Sequence, residues 1–179
     1  GTWRAIYQEE WSATYVERLE EEAKKGLVIW PYHTMLGTPG HGLTPALSEA
    51  MAYHAAAREA NPRFILKGLI PQTEFYSLFE PEVKVDDDPM GRLNEEFLNQ
   101  LVDYDLIYVA GQAKSHCVLE SIASIIQHRS ELTAKIRLLE DCTSSVVHPE
   151  IDFEAMANEA YARFEEHGLR RVYSTDPVE

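Results

Sequence analysis

Apolar positions along the chain fall into short continuous runs separated by longer amphipathic stretches, the pattern of buried strands alternating with helices. Leu27–Trp30, Phe64–Leu66, Leu106–Ala110, Ile136–Leu139 and Leu169–Tyr173 are runs too short for helices and read as strands, Leu106–Ala110 (Leu-Ile-Tyr-Val-Ala) most clearly. Ser12 is placed to cap a helix with Val16, Leu19 and Ala23 on its apolar stripe and Gly26 as its stop. Thr44-Pro45 predicts a second helix start, because proline fits the first helical position without losing a hydrogen bond. That helix should run to about Glu59 with Leu47, Met51 and Ala55 facing inward. Asn94 caps a short helix to Val102, and Ser115 caps one carrying Val118, Ile122, Ile125 and Ile126. The last helix holds Phe153, Met156, Ala160 and Phe164 and stops at His167-Gly168. Two connections are long. Pro31 to Gly42 is broken by Gly37, Pro39 and Gly40, and Pro71 to Pro89 carries Asp86, Asp87 and Asp88 in its tail. A loop of the second kind is expected to be functional or mobile.

This alternation predicts an α/β fold in three α/β/α layers, with a mainly parallel sheet covered by helices on both faces. The 179 residues, 45% of them hydrophobic, suffice for one domain spanning 1–179 with a proper core. No apolar run approaches the roughly 18 residues of a membrane span, and Gly1 to Glu10 lacks the pattern of a secretory signal. The formal net charge of −14 argues against nucleic acid as a partner, since phosphate contacts need clustered Lys and Arg. Cys117 and Cys142 are the only cysteines, too few for a disulfide framework, so a reducing cytoplasm is the expected location.

In open α/β sheets the ligand site lies beyond the carboxyl ends of the strands. That rule selects Trp30-Pro31-Tyr32-His33, Lys67, Gly111 to Cys117, and Asp141-Cys142. Cys117 follows a strand and a tight turn and falls in the first turn of a helix, where unpartnered N–H groups and the helix dipole stabilise a thiolate. The same N–H groups could hold an oxyanion. His116 points about 100° away from its neighbour on a helix and reads as structural, and Cys142 reads as a packing residue. Lys67, at the end of an apolar run, could stabilise the thiolate and an anionic intermediate.

These segments resemble a known family. Val109-Ala110-Gly111-Gln112-Ala113-Lys114-Ser115-His116-Cys117-Val118 resembles the nucleophile segment of nicotinamidases and other isochorismatase-like cysteine hydrolases. Lys67-Gly68, with Pro71 and Tyr76-Ser77 after it, is similar to their catalytic-lysine segment. Trp30-Pro31-Tyr32-His33 followed by Gly37-Thr38-Pro39-Gly40 is similar to their Trp-Pro-x-His loop and Gly-Thr-x-Gly turn. Leu139-Glu140-Asp141-Cys142-Thr143 resembles the strand and turn after the nucleophile helix. The matches run in family order from about Leu27 onward. The resemblance implies that Cys117 attacks a carbonyl carbon to give an acyl-enzyme, that Lys67 supports thiolate and intermediate, and that the backbone N–H groups of Ala113 and Cys117 form the oxyanion hole. It implies a cis peptide at Gln112–Ala113, ring contacts to substrate from Trp30 and Tyr76, and a metal-ligand role for His33, with zinc as the candidate ion; His33 alone cannot make a metal site.

The family also places an Asp at the end of a first strand, to accept the thiol proton, and an Asp-x-His metal motif on a later strand. Both precede the Trp-Pro-x-His loop, whereas residues 1–29 here contain neither Asp nor His. The expectation is therefore a piece of a longer protein, its first strands removed or carried on another chain. An inactive relative, or replacement of the missing acid by Asp141, are the alternatives. Hydrolysis of a small nicotinamide-like amide is the expected activity, against an isochorismatase-type hydrolase or a catalytically silent binding or assembly module. A homo-oligomer, or a partner segment supplying the missing strands, is expected to cover the open sheet edge.

Overall fold

Three of the five apolar runs find hydrogen-bonding partners, and these form the sheet. The computed structural model describes residues 4–22 and 26–178. The strands are β1 (Ile107–Gln112), β2 (Ile136–Ser144) and β3 (Arg170–Val172). They lie in the order β1-β2-β3 and both pairings are parallel, as the strand–helix alternation requires. Helix α1 covers Glu9–Glu21, α2 Pro45–Arg58, α3 Glu95–Gln100, α4 Leu119–His128 and α5 Phe153–Glu165.

The main core lies where α4 and α5 pack on one face of the sheet. Ile122 and Ile125 of α4, Ala157 and Tyr161 of α5, and Ile136 and Leu138 of β2 are buried together with Phe79, Leu98, Leu132 and Leu169. The opposite face is open at β1, where Tyr108 is 40% exposed and Ala110 is exposed as well. A smaller core joins Tyr15 and Leu19 of α1 to Val83, with Trp11, Val16 and Leu27 against it.

Several local expectations change. Leu27–Trp30 and Phe64–Leu66 are not strands: among the described residues neither segment pairs with a neighbour, and Val28, Ile29, Phe64 and Leu66 are exposed. An extended run becomes a strand only when another strand takes up its N–H and C=O groups. Helix α2 starts at Pro45 as predicted, but Leu47 faces solvent and α2 contributes no buried residue. Helix α1 starts before Ser12, with Gln8 in the left-handed conformation at its N-cap; Ala23 lies outside the described residues. Asn94 caps α3 as predicted, its Oδ1 accepting from Phe97 N at 3.1 Å.

The 71–89 excursion is packed. Thr73, Ser77, Phe79, Pro81 and Val83 are buried along it. Trp11 Nε1 donates to Gln72 O at 2.8 Å, Tyr15 Oη to Glu74 Oε2 at 2.8 Å, and Leu78 N to Ser121 Oγ at 2.9 Å. Its buried apolar side chains replace secondary structure as the source of order. Among the described residues no helix is long and apolar enough to cross a membrane.

Candidate functional site

The end of β1 and the residues after it make three unusual backbone moves in succession. Gly111 has φ +111°, a conformation that L side chains rarely adopt. The Gln112–Ala113 peptide is cis. Lys114–Val118 then forms one π-helical turn, in which Val118 N donates to Ala113 O at 3.1 Å, before α4 continues as an ordinary helix. Such turns concentrate at functional positions. Cys117 sits in this turn, half-buried and a free thiol. Ser115 therefore does not cap an α-helix. Its Oγ accepts from Val146 N at 3.1 Å and pairs with His116 Nδ1 at 2.8 Å.

Three separate segments bring rings to this turn. The His116 ring lies 5.5 Å from Trp30, 5.7 Å from Tyr76 and 4.8 Å from Phe153. Trp30 Nε1 donates to Tyr76 Oη at 3.0 Å, tying the unpaired 27–30 segment to the excursion. Edge-to-face and tilted contacts of this kind are the favoured aromatic geometries. Lys67 is half-buried and its Nζ donates to Phe75 O at 2.8 Å and to Tyr76 O at 2.6 Å. The ammonium thus lies at the backbone of the residue whose ring stands beside His116. Two of its three donors go to these carbonyls.

Of the residues singled out from sequence, the structure brings Trp30 and Tyr76 to His116, in the turn that holds Cys117, and Lys67 reaches this cluster only through the backbone of Phe75 and Tyr76. His33 is exposed, edge-on to Trp30 at 6.5 Å between ring centres, with Nδ1 2.6 Å from Pro31 O. Among the described residues no three His, Cys, Asp or Glu side chains converge to hold a metal ion. The described residues therefore do not fit a metal at His33, and no step below passes through one. Asp141 and Cys142, expected in a turn, lie within β2 and are exposed. Asp141 accepts from Ser174 N at 2.9 Å and Ser174 Oγ at 2.5 Å, and these bonds lower its carboxyl below the ordinary range. It anchors the end of the sheet.

Sequence reasoning passed over His116 and Phe153, the first as structural and the second as core. A histidine adjacent to the thiol within a turn of small residues was the available signal. It also passed over Lys114, which is 3% exposed. A concavity of about 1170 Å³ is an open trough lined by Leu66, Lys67, Phe75, Leu78, Met90 and His128 among others, and Cys117 is not part of its lining. It borders the unpaired 66–69 segment, so its size does not mark the chemistry.

No protein-family model matches the sequence, and comparison with curated proteins gives no match. Solved structures do match. The yeast nicotinamidase Pnc1p bound to the inhibitor nicotinaldehyde aligns with a TM-score of 0.56 and 19% identity, over 83% of this chain and 60% of that one. PnC1 from L. infantum in complex with nicotinate aligns with a TM-score of 0.54 and 22% identity, over 82% and 62%. The Acinetobacter baumanii nicotinamidase pyrazinamidase aligns with a TM-score of 0.53 and 19% identity, over 83% and 61%. At these identities the likeness establishes the fold: the chain has the isochorismatase-like fold of the nicotinamidases. It spans about three-fifths of the length of these neighbours.

Proposed function

We propose that this chain forms part of a cysteine hydrolase that cleaves the C–N bond of a small, flat, nicotinamide-like amide. The observation that carries the reading is the convergence of Trp30 and Tyr76 on His116, within the turn that holds Cys117. Aromatic rings packed on the residue next to a half-buried sulfur suit a planar ring whose carbonyl carbon must be held near that sulfur.

In this reading the sulfur of Cys117 bonds to the carbonyl carbon and the carbonyl oxygen takes negative charge. Backbone N–H groups of Ala113 and Cys117 receive that oxygen. The C–N bond breaks and nitrogen leaves with a proton as ammonia. Water then attacks the thioester, releasing the acid and restoring the thiol. Lys67, fixed through Phe75 O and Tyr76 O, has a third N–H to offer the sulfur or the intermediate. The group that takes the thiol proton would arrive with a strand that pairs with the free edge of β1, from a partner segment or a second copy. Among the described residues no strand pairs with the outer edge of β1, and this edge with exposed Tyr108 supports such an addition. A metal at His33 would need ligands beyond the described residues. Both described thiols are free, in keeping with a reducing cytoplasm.

Cys142 is exposed and Cys117 only half so, which makes a direct test available. A chloroacetamide carrying a pyridine ring, with the site of attachment mapped by mass spectrometry, should label Cys117 at least tenfold faster than Cys142. Trp30→Ala should remove most of that preference, and Cys117→Ala should abolish ammonia release from nicotinamide while the circular dichroism spectrum is kept. Labelling that follows exposure, with Cys142 first, would leave a binding module and no nucleophile.

A further inference from the structure

We propose that Lys114 is a positioning residue for the nucleophile turn, its buried ammonium locking Ala113–Val118 in place through a charge-balanced network. This rests on the reading of Cys117 as nucleophile. Lys114 lies three residues before the sulfur, in the same π-helical turn. Its Nζ donates to Glu140 Oε2 at 2.9 Å, Glu154 Oε1 at 2.6 Å and Asn158 Oδ1 at 3.0 Å. An ammonium has three donors, and each has an acceptor here.

The acceptors are themselves held. Arg171 Nε donates to the other oxygen of Glu140, and Arg171 Nη2 to Asn158 Oδ1 at 2.7 Å. Ser145 Oγ donates to the other oxygen of Glu154 at 2.6 Å, and Asn158 Nδ2 to Oε1 at 3.1 Å. Two cations thus meet two carboxylates. Burial alone would raise the Glu140 carboxyl, but bonds from Arg171 and Lys114 outweigh it and hold it below the ordinary value. Bonds from Lys114 and then Ser145 do the same for Glu154.

The network ties the turn to β2, β3 and α5 together. Glu140 belongs to β2 at the point where its register with β1 shifts, from Val109↔Leu138 to Gly111↔Thr143. Glu154 and Asn158 lie on α5 and Arg171 on β3. The main chain of Lys114 is fixed as well: the buried Tyr161 of α5 donates its phenol to Lys114 O at 2.9 Å. Residue 114 is therefore anchored at its side-chain tip and at its carbonyl, while the turn that follows must aim both a sulfur and two N–H groups. Small displacements at a reacting centre cost large factors in rate. A buried ammonium is also costly unless fully partnered, which a role in general core packing would not require.

The test compares Lys114→Met with Leu132→Ala, a core truncation just before β2 at the end remote from the turn, in the full chain with any partner it requires. Amide hydrogen exchange at His116 and Val118, whose N–H groups both donate to Ala113 O, reports the turn without needing catalysis. Lys114→Met should speed exchange at these two amides at least tenfold beyond the global change. It should also lower the maximal rate of Cys117 labelling by the pyridyl chloroacetamide at least tenfold, with half-saturation within twofold. Leu132→Ala, at similar loss of melting temperature, should do neither, and Lys114→Arg should restore part of the labelling rate. If Lys114→Met does not fold, Glu154→Gln, which neutralises one half-exposed acceptor, should give the same changes in smaller measure. Unchanged exchange at both amides, or equal effects from Leu132→Ala, overturns the proposal. If wild-type protein shows no preference for Cys117, the nucleophile reading fails instead, and exchange still decides whether Lys114 locks the turn.

Discussion

Ile122→Ala and Leu47→Ala, measured side by side, separate what burial does from what sequence pattern suggests. Both residues sit at apolar positions of amphipathic helices, α4 and α2. Ile122 is 0% exposed, inside the cluster formed with Phe79, Leu98, Ile136 and Leu138, whereas Leu47 is 54% exposed. Truncating either to alanine removes about three carbons. For Ile122 the lost transfer energy is about 2.4 kcal/mol at ~0.8 kcal/mol per methylene, and the residual cavity brings the cost to about 3–4 kcal/mol. With a urea m-value of about 2 kcal/mol/M, the midpoint should fall by roughly 1.5 M. For Leu47 the side chain is mostly in water already and alanine is the better helix former, so the change should stay within about 0.5 kcal/mol. Urea unfolding followed by far-ultraviolet circular dichroism reads both. A cost below about 1 kcal/mol for Ile122→Ala would refute the core as described. A cost for Leu47→Ala equal to that of Ile122→Ala would mean that α2 is covered in solution, and the surface reasoning for this helix would fail.

Two further outcomes follow from individual contacts. Glu140 and Glu154 are held below their ordinary values when folded, so their contribution is fully present above the unfolded value of about 4.3 and is lost as pH falls through the folded values. Stability should therefore decline on acidification below about pH 4–5, and Glu140→Gln should flatten that decline; an unchanged acid limb would remove this carboxylate from the balance. At Gly91, an added Cβ would lie 2.7 Å from both Val85 Cβ and Val85 O, so Gly91→Ala should cost about 1–3 kcal/mol and lower the melting temperature by about 3–10 °C. An unchanged melting temperature would show that the 85–91 turn, in which Val85 N donates to Gly91 O at 3.0 Å, is looser than this.

Apart from Tyr76, which entered through the family resemblance, the sequence by itself determined the α/β class and the parallel pairing and picked out the candidates Cys117, Lys67 and Trp30. These follow from local properties: the period of apolar positions, proline and asparagine at helix starts, and reactive side chains just after apolar runs. It could not decide which apolar runs become strands, because Leu27–Trp30 and Phe64–Leu66 have the composition of strands and, among the described residues, no neighbouring strand to bond. Nor could it decide that Pro71–Pro89 is packed, since order there comes from side chains meeting α1 and α4 across many residues. His116 acquires its place only because Trp30, Tyr76 and Phe153 arrive from distant segments. Lys114 is the clearest case. In the sequence it is a charged residue in a turn, ordinarily solvated, and its burial is stable only where β2, β3 and α5 bring matching charges to one point. Hydrophobic period is written locally in the chain, whereas the partners that make a buried charge tolerable are set by tertiary contact.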